Sequence, residues 1–124
     1  MKVFLVEDSP EILHRLATLI AESGGMSVVG QADAEEPALE GIFGTLPNAV
    51  ILDLTLASGN GITVLRQVKA RHPEIRVIVL TNNCHPQYQK RCRLLGAEHF
   101  LDKTRDFEKL AGLLAEMAST RESA

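Results

Sequence analysis

The sequence predicts an α/β domain built on one parallel sheet with helices over both faces. The apolar runs Val3-Phe4-Leu5-Val6, Ala49-Val50-Ile51-Leu52 and Val77-Ile78-Val79-Leu80 are unbroken, as strands buried on both faces are. Segments of helical spacing separate them, so strand and helix alternate along the chain. Polar groups follow the runs: Glu7-Asp8, Asp53, Thr81 and, two residues past Phe100-Leu101, Lys103. Ligands of such sheets bind beyond the carboxyl ends of the strands, near the point where strand order reverses.

Each element has its own signal. After the first strand, Ser9 reads as a helix N-cap and Pro10 as the first helical residue. Ile12, Leu13, Leu16, Leu19 and Ile20 then recur at helical spacing, and Gly24-Gly25 ends the helix. A short second strand is expected over 26–31, centred on Val28-Val29. A weak helix over 35–43 carries Leu39, Ile42 and Phe43, and the third strand follows Pro47-Asn48. Gly59-Asn60-Gly61 leads into a helix with Ile62, Leu65 and Val68 on one face, stopped by His72-Pro73. The fourth strand precedes a helix over 86–95 that ends at Gly96. A last strand is expected over 99–101, then a helix from about Asp106 with Phe107, Leu110, Leu113, Leu114 and Met117. Residues 118–124 are expected to be a frayed tail.

A chain of 124 residues is expected to form one domain, 1–124, with a sizeable core. The net charge of −3 argues against general binding to nucleic acid or membrane. No apolar run approaches the ~20 residues of a membrane span. Strand residues follow Met1-Lys2 at once and leave no room for a signal peptide, so a cytoplasmic location is expected. Nothing after Met117 supplies a helix-turn-helix, which leaves a stand-alone regulator or an excised domain. Cys84 and Cys92, if both lie on one helix, are about 12 Å apart along its axis, too far for a disulfide. They read as reduced thiols, Cys92 packed.

Three carboxylates converging on one pocket repel one another unless a cation neutralises them. Oxygen-only ligands favour a hard ion, and Mg²⁺ accepts one or two carboxylates while keeping several waters. Asp53 beside such an ion could act as a nucleophile and form an aspartyl-phosphate. Lys103 would pair with a phosphoryl oxygen as a mobile point charge, and Thr81 would donate to another.

These residues, from about Lys2 to Met117, resemble a two-component response-regulator receiver domain of the CheY-like superfamily. The resemblance is carried by Glu7-Asp8, by Asp53-Leu54-Thr55-Leu56 with Gly61 eight residues past the acceptor, by Thr81, Gly96-Ala97 and Phe100, and by Lys103. It implies a flavodoxin-like, doubly wound five-stranded sheet of order 2-1-3-4-5 with five flanking helices. It also implies that Asp8, Asp53 and the backbone carbonyl of Thr55 ligate Mg²⁺, with Glu7 helping directly or through water. Asp53 would then be the phosphoacceptor, Lys103 the phosphate-binding lysine, and Thr81 and Phe100 the switch pair. The implied donor is a sensor histidine kinase or phosphotransfer protein; the chain would be a phosphoryl acceptor, with autophosphatase activity left open, and not an enzyme in its own right. The implied output is a downstream protein bound at the face of the fourth helix, fifth strand and fifth helix, where Lys90, Arg91 and Arg93 lie. A phosphorylation-dependent homodimer is left open.

Three positions depart from the family pattern. Ala57 replaces a usual Pro, which predicts a less rigid loop. Thr104 replaces the Pro that usually follows the lysine; a cis peptide there would cost roughly 2.5–4 kcal/mol without Pro, so a trans bond is expected. Asn82 stands where a small residue is usual and would crowd the approach of phosphate. Thr55 and Asn83 occupy the positions that tune dephosphorylation in the family. The principal alternative is a degenerate receiver acting as a phosphorylation-independent interaction module. A haloacid-dehalogenase-like phosphatase would need a second Asp where Thr55 stands. A dinucleotide fingerprint at Gly59-Asn60-Gly61 lacks its third Gly, with Val64 in its place.

Overall fold

Strand parity divides the core of this protein in two. In a computed structural model, which describes residues 1–123 with side chains through Ser119, the elements are β1 (Lys2–Val6), α1 (Pro10–Glu22), β2 (Ser27–Ala32), α2 (Glu35–Thr45) and β3 (Ala49–Leu52), followed by α3 (Gly61–Arg71), β4 (Arg76–Thr81), α4 (Pro86–Leu94), β5 (His99–Asp102) and α5 (Phe107–Ser123). Residues 118–123, expected to be a frayed tail, instead continue α5, with Ala118 buried, and only residue 124 lies outside the described residues.

All five strands are parallel, in the order β2-β1-β3-β4-β5. Successive side chains on a strand point to opposite faces. Phe4, Val6, Val50, Leu52, Val77 and Val79 therefore pack against α2 and α3 through Ala38, Ile42, Val64, Leu65 and Val68. Val3, Leu5, Ala49, Ile51, Ile78 and Leu80 pack on the other face against Leu16 and Ile20 of α1 and Leu110 and Leu114 of α5. The unbroken apolar runs thus serve two cores at once.

The helix signals hold in detail. Ser9 caps α1, its hydroxyl accepting from the Ile12 N–H at 3.3 Å. Asn60 caps α3, its Oδ1 accepting from the Ile62 N–H at 2.7 Å. The second helix runs two residues further than its sequence pattern, to Thr45, and closes on Leu46 in the left-handed conformation (φ 47°) just before Pro47. The second strand is displaced by one residue, beginning at Ser27 and ending at Ala32. It is an edge strand with one neighbour, and Phe4 lies across from Gly30, where a Cβ would stand 2.6 Å from the ring. The fourth helix begins at Pro86 as expected, so Cys84 lies in the preceding loop and does not share a helix with Cys92, which is fully buried. Both cysteines are free thiols. No cis peptide occurs among the described residues, so Lys103–Thr104 is trans, as expected.

Candidate functional site

Strand order reverses between β1 and β3, because α1 leads from β1 to one edge of the sheet and α3 leads from β3 toward the other. The crevice at their carboxyl ends holds Glu7 and Asp8 after β1 and Asp53 after β3. One carboxylate oxygen from each of these three lies within 4.8 Å of the others, with Glu7 and Asp53 buried and Asp8 exposed. Asp53 is held from behind by backbone: its N–H donates to the Val6 carbonyl at 2.9 Å, and its Oδ1 accepts from the Thr55 N–H at 3.2 Å.

Lys103 crosses the sheet edge from the end of β5 to neutralise this cluster. Its Nζ lies 2.7 Å from Asp53 Oδ2, 2.8 Å from Glu7 Oε1 and 3.1 Å from Glu7 Oε2. The Lys103 N–H donates to the Thr81 carbonyl at 2.9 Å, which fixes where the side chain leaves the sheet. Burial pushes the Glu7 carboxyl above its ordinary value, and the negative charge of Asp53 adds to that rise. Hydrogen bonds from Lys103 and the Ser9 N–H oppose it without cancelling it. Burial alone would lower the Lys103 ammonium, but its hydrogen bonds to Asp53 and Glu7 outweigh that and hold its pKa up. Among the described residues a single buried ammonium thus faces three acids, and the shortfall of positive charge is the electrostatic signature of the site. An all-oxygen donor set of excess negative charge, open on the Asp8 side, fits a hard divalent cation such as Mg²⁺.

Thr81 ends β4 and is fully buried, its hydroxyl accepting from the Asn83 N–H at 3.1 Å. By strand alternation it shares the α3/α4 side with Phe100, which pairs with Val79 in the register and packs half-buried at the margin of that core. The structure therefore gathers Glu7, Asp8, Asp53 and Lys103 into one contact cluster. It puts Thr81 at the same sheet edge with its hydroxyl engaged locally, and places Phe100 one strand away.

The loop after Asp53 is more firmly tied than the loss of Pro at position 57 suggests. Ala57 keeps an N–H that proline would lack, and it donates to the Asp33 carbonyl at 3.0 Å. The Glu35 N–H donates to the Ser58 carbonyl, and Glu35 Oε1 accepts from the Asn60 N–H, both at 2.9 Å. Two polar contacts near the site left no trace in the sequence pattern. Cys84 donates its thiol to the Thr81 carbonyl at 3.2 Å and to Asp102 Oδ2 at 3.4 Å; burial and the neighbouring Asp102 raise that thiol to about 11, which keeps it protonated. Thr104 Oγ1 donates to Asn82 Oδ1 at 3.2 Å.

The sequence profile of the response regulator receiver domain matches residues 3–115. The chain is 28% identical over 121 residues to the DNA-binding transcriptional activator DevR/DosR of Mycobacterium tuberculosis, covering 98% of this chain and 56% of that protein. It spans about half the length of the first curated relatives it matches. A CheY-like response regulator receiver domain protein of Methanospirillum hungatei superposes with a TM-score of 0.88 at 19% identity, covering 98% of this chain and 96% of the other, a likeness of fold. The CheX-CheY-BeF3-Mg²⁺ complex of Borrelia burgdorferi contains a chain that matches with a TM-score of 0.83 at 28% identity, over 97% of this chain and 89% of that one. Among the described residues, no helix is long and apolar enough to cross a membrane.

Proposed function

The chain belongs to the response regulator receiver domain family of two-component systems, and on that premise we propose that it accepts a phosphoryl group on Asp53 in a Mg²⁺-dependent reaction that switches its affinity for a partner. The observation that carries this reading is the Lys103 ammonium held between Asp53 and Glu7 beside the exposed Asp8.

Asp8, Asp53 and the Thr55 carbonyl would hold the ion, with Glu7 helping directly or through water; when bound, it supplies the positive charge the acids and the phosphoryl oxygens need. An Asp53 carboxylate oxygen attacks the phosphorus of a phosphohistidine on a sensor kinase or phosphotransfer protein. The new P–O bond forms as the P–N bond breaks, and the imidazole leaves with the electron pair. Lys103 gives up its hydrogen bond to Asp53 for a phosphoryl oxygen, so the ammonium follows the charge. Positioning and charge neutralisation supply most of the rate, because the transferring group is largely dissociated at the transition state. Thr81 trades its local turn for a hydrogen bond to the phosphoryl group, and Phe100, on the same side of the sheet, fills the space it leaves. The face of α4, β5 and α5 then changes its affinity for a downstream protein or for a second copy of the chain.

The Borrelia burgdorferi complex, solved with BeF3 and Mg²⁺, supports this choice of ligands. The reading is tested by thermal melting with Mg²⁺ and fluoroberyllate. Any ligand that binds only the native state raises the midpoint. The midpoint is expected to rise in the wild type and to stay put in Asp53→Ala. An unchanged wild-type midpoint at saturating concentrations would favour the phosphorylation-independent interaction module.

A further inference from the structure

We propose that Asn82 and Thr104 form a side-chain latch across the mouth of the phosphoryl site, and that this latch slows the arrival of a phosphoryl group at Asp53. The inference rests on the acceptor role given to Asp53 above and adds two residues to it. Each stands directly after a site residue, Asn82 after Thr81 and Thr104 after Lys103.

The register of β4 and β5 ends at Thr81 and Asp102, and the last backbone bond beyond it runs from the Lys103 N–H to the Thr81 carbonyl at 2.9 Å. The next rung is made by side chains, Thr104 Oγ1 to Asn82 Oδ1 at 3.2 Å, and both residues are exposed. Turns fix both ends of this rung. The Asn83 N–H donates to the Thr81 hydroxyl, so the backbone around Asn82 is held. The Thr104 and Arg105 N–H groups donate to Asp102 Oδ1 at 2.8 and 2.9 Å. Those two bonds hold the Asp102 carboxyl below its usual range, and its other oxygen receives the Cys84 thiol from the opposite loop. Asn82, Thr104 and Lys103 form one wall of a cavity of about 330 Å³ whose other wall includes Ser9, Ile12 and Arg15 at the start of α1. The latch thus stands at the opening on which Lys103 borders. A proline at position 104 would have neither the hydroxyl nor the N–H, and a small residue at position 82 could not reach across.

Transfer to Asp53 from a small donor such as acetyl phosphate forms one P–O bond to the carboxylate and breaks another, acetate leaving with the electron pair. If Thr81 turns toward the incoming group, its hydroxyl leaves the Asn83 N–H and Asn82 is freed from Thr104. Opening the latch is therefore part of the path to the phosphorylated state. A lone exposed hydrogen bond between neutral groups is weak, so its loss is expected to raise the rate by about two- to tenfold.

The test measures the rate of labelling by acetyl phosphate and Mg²⁺, read by intact mass, in the full chain and four variants. Asn82→Ala and Thr104→Val are each expected to speed labelling, Thr104→Ser to leave it at the wild-type rate, and the double Asn82→Ala/Thr104→Val to be no faster than Asn82→Ala alone. In the unlabelled protein, the Asn82 side-chain amide resonances are expected to shift in Thr104→Val and not in Thr104→Ser. Rates indifferent to Thr104→Val, or effects that multiply in the double variant, overturn the latch while leaving the acceptor reading intact. A wild type that takes up no phosphoryl group overturns both.

Discussion

Lys103→Met is expected to destabilise the fold by about 3 kcal/mol at pH 7, because it strips two buried carboxylates of the one cation that pairs with them among the described residues. Glu7 and Asp53 are 2% and 4% exposed, and both take their charged partner from the same ammonium. The cost belongs at the lower end of the range for a broken buried pair, since the exposed Asp8 leaves the crevice open to water on one side. The pH dependence has a definite sign. Burial already raises the folded-state pKa of Glu7, and the Lys103 hydrogen bond is the largest effect opposing that rise. A carboxyl raised in the folded state contributes stability below its unfolded value and loses it as pH rises through the folded value. Removing Lys103 pushes Glu7 higher still, so the deficit of the variant should be largest near neutrality and shrink in acid. The wild-type Lys103 pKa is itself raised, so its own contribution persists through neutral pH and is lost only in strong alkali. Urea unfolding followed by circular dichroism at several pH values checks both points, and a deficit independent of pH would contradict the charge argument. Added Mg²⁺ should recover part of the loss.

Gly61→Ala is expected to be strongly damaging. A Cβ there would overlap the carbonyl oxygen of Asp53 and stand 2.6 Å from Leu54 Cα, and both are backbone, which no rotamer change can move. The Gly61 N–H also donates to the Leu54 carbonyl at 3.0 Å, so the start of α3 is bonded to the segment it would push away. Overpacking of this kind costs about 1–3 kcal/mol. The larger effect should fall on chemistry, because the displaced peptide carries Asp53 with it; an error of about 1 Å in a reacting group slows reaction by roughly 100-fold. Labelling of Gly61→Ala by acetyl phosphate should therefore fall much further than its stability. Gly112→Ala on α5, where a Cβ meets nothing within 4 Å, is the control and should be neutral or stabilising. Equal labelling rates in the two variants would contradict the close approach at Gly61.

The fold was legible because its strands are buried twice. Val50 and Leu52 serve one core while Ala49 and Ile51 serve the other, so the residues between them are apolar as well and the run stands out. The edge strand β2, half exposed and interrupted by Gly30, gave a fainter signal, and its limits shifted by one residue. The site was legible for a related reason: a parallel sheet puts the ends of its strands in one row, so Asp8, Asp53 and Lys103 could be assigned to one place before any distance was known. What spacing could not convey is pairing. That Lys103 touches both oxygens of Glu7 depends on the reach of a flexible chain across β1 and β3. That Ala57 makes up for a missing proline depends on a carbonyl in another loop, at Asp33. The start of α4 at Pro86 was readable from the proline, but not its cap: His85 is not a usual cap type, and its Nδ1 accepts from the Gln87 N–H at 3.2 Å. The bond from Thr104 to Asn82 joins two departures from the family pattern that had seemed unrelated.

The role of Asp53 is tested most directly by intact mass after incubation with acetyl phosphate and Mg²⁺, for the folded wild type and for Asp53→Asn. The wild type should gain the mass of one phosphoryl group, in a magnesium-dependent and base-labile form, and the variant should gain none. A folded wild type that gains nothing, or a variant labelled as fully as the wild type, would contradict the assignment of Asp53 as the acceptor.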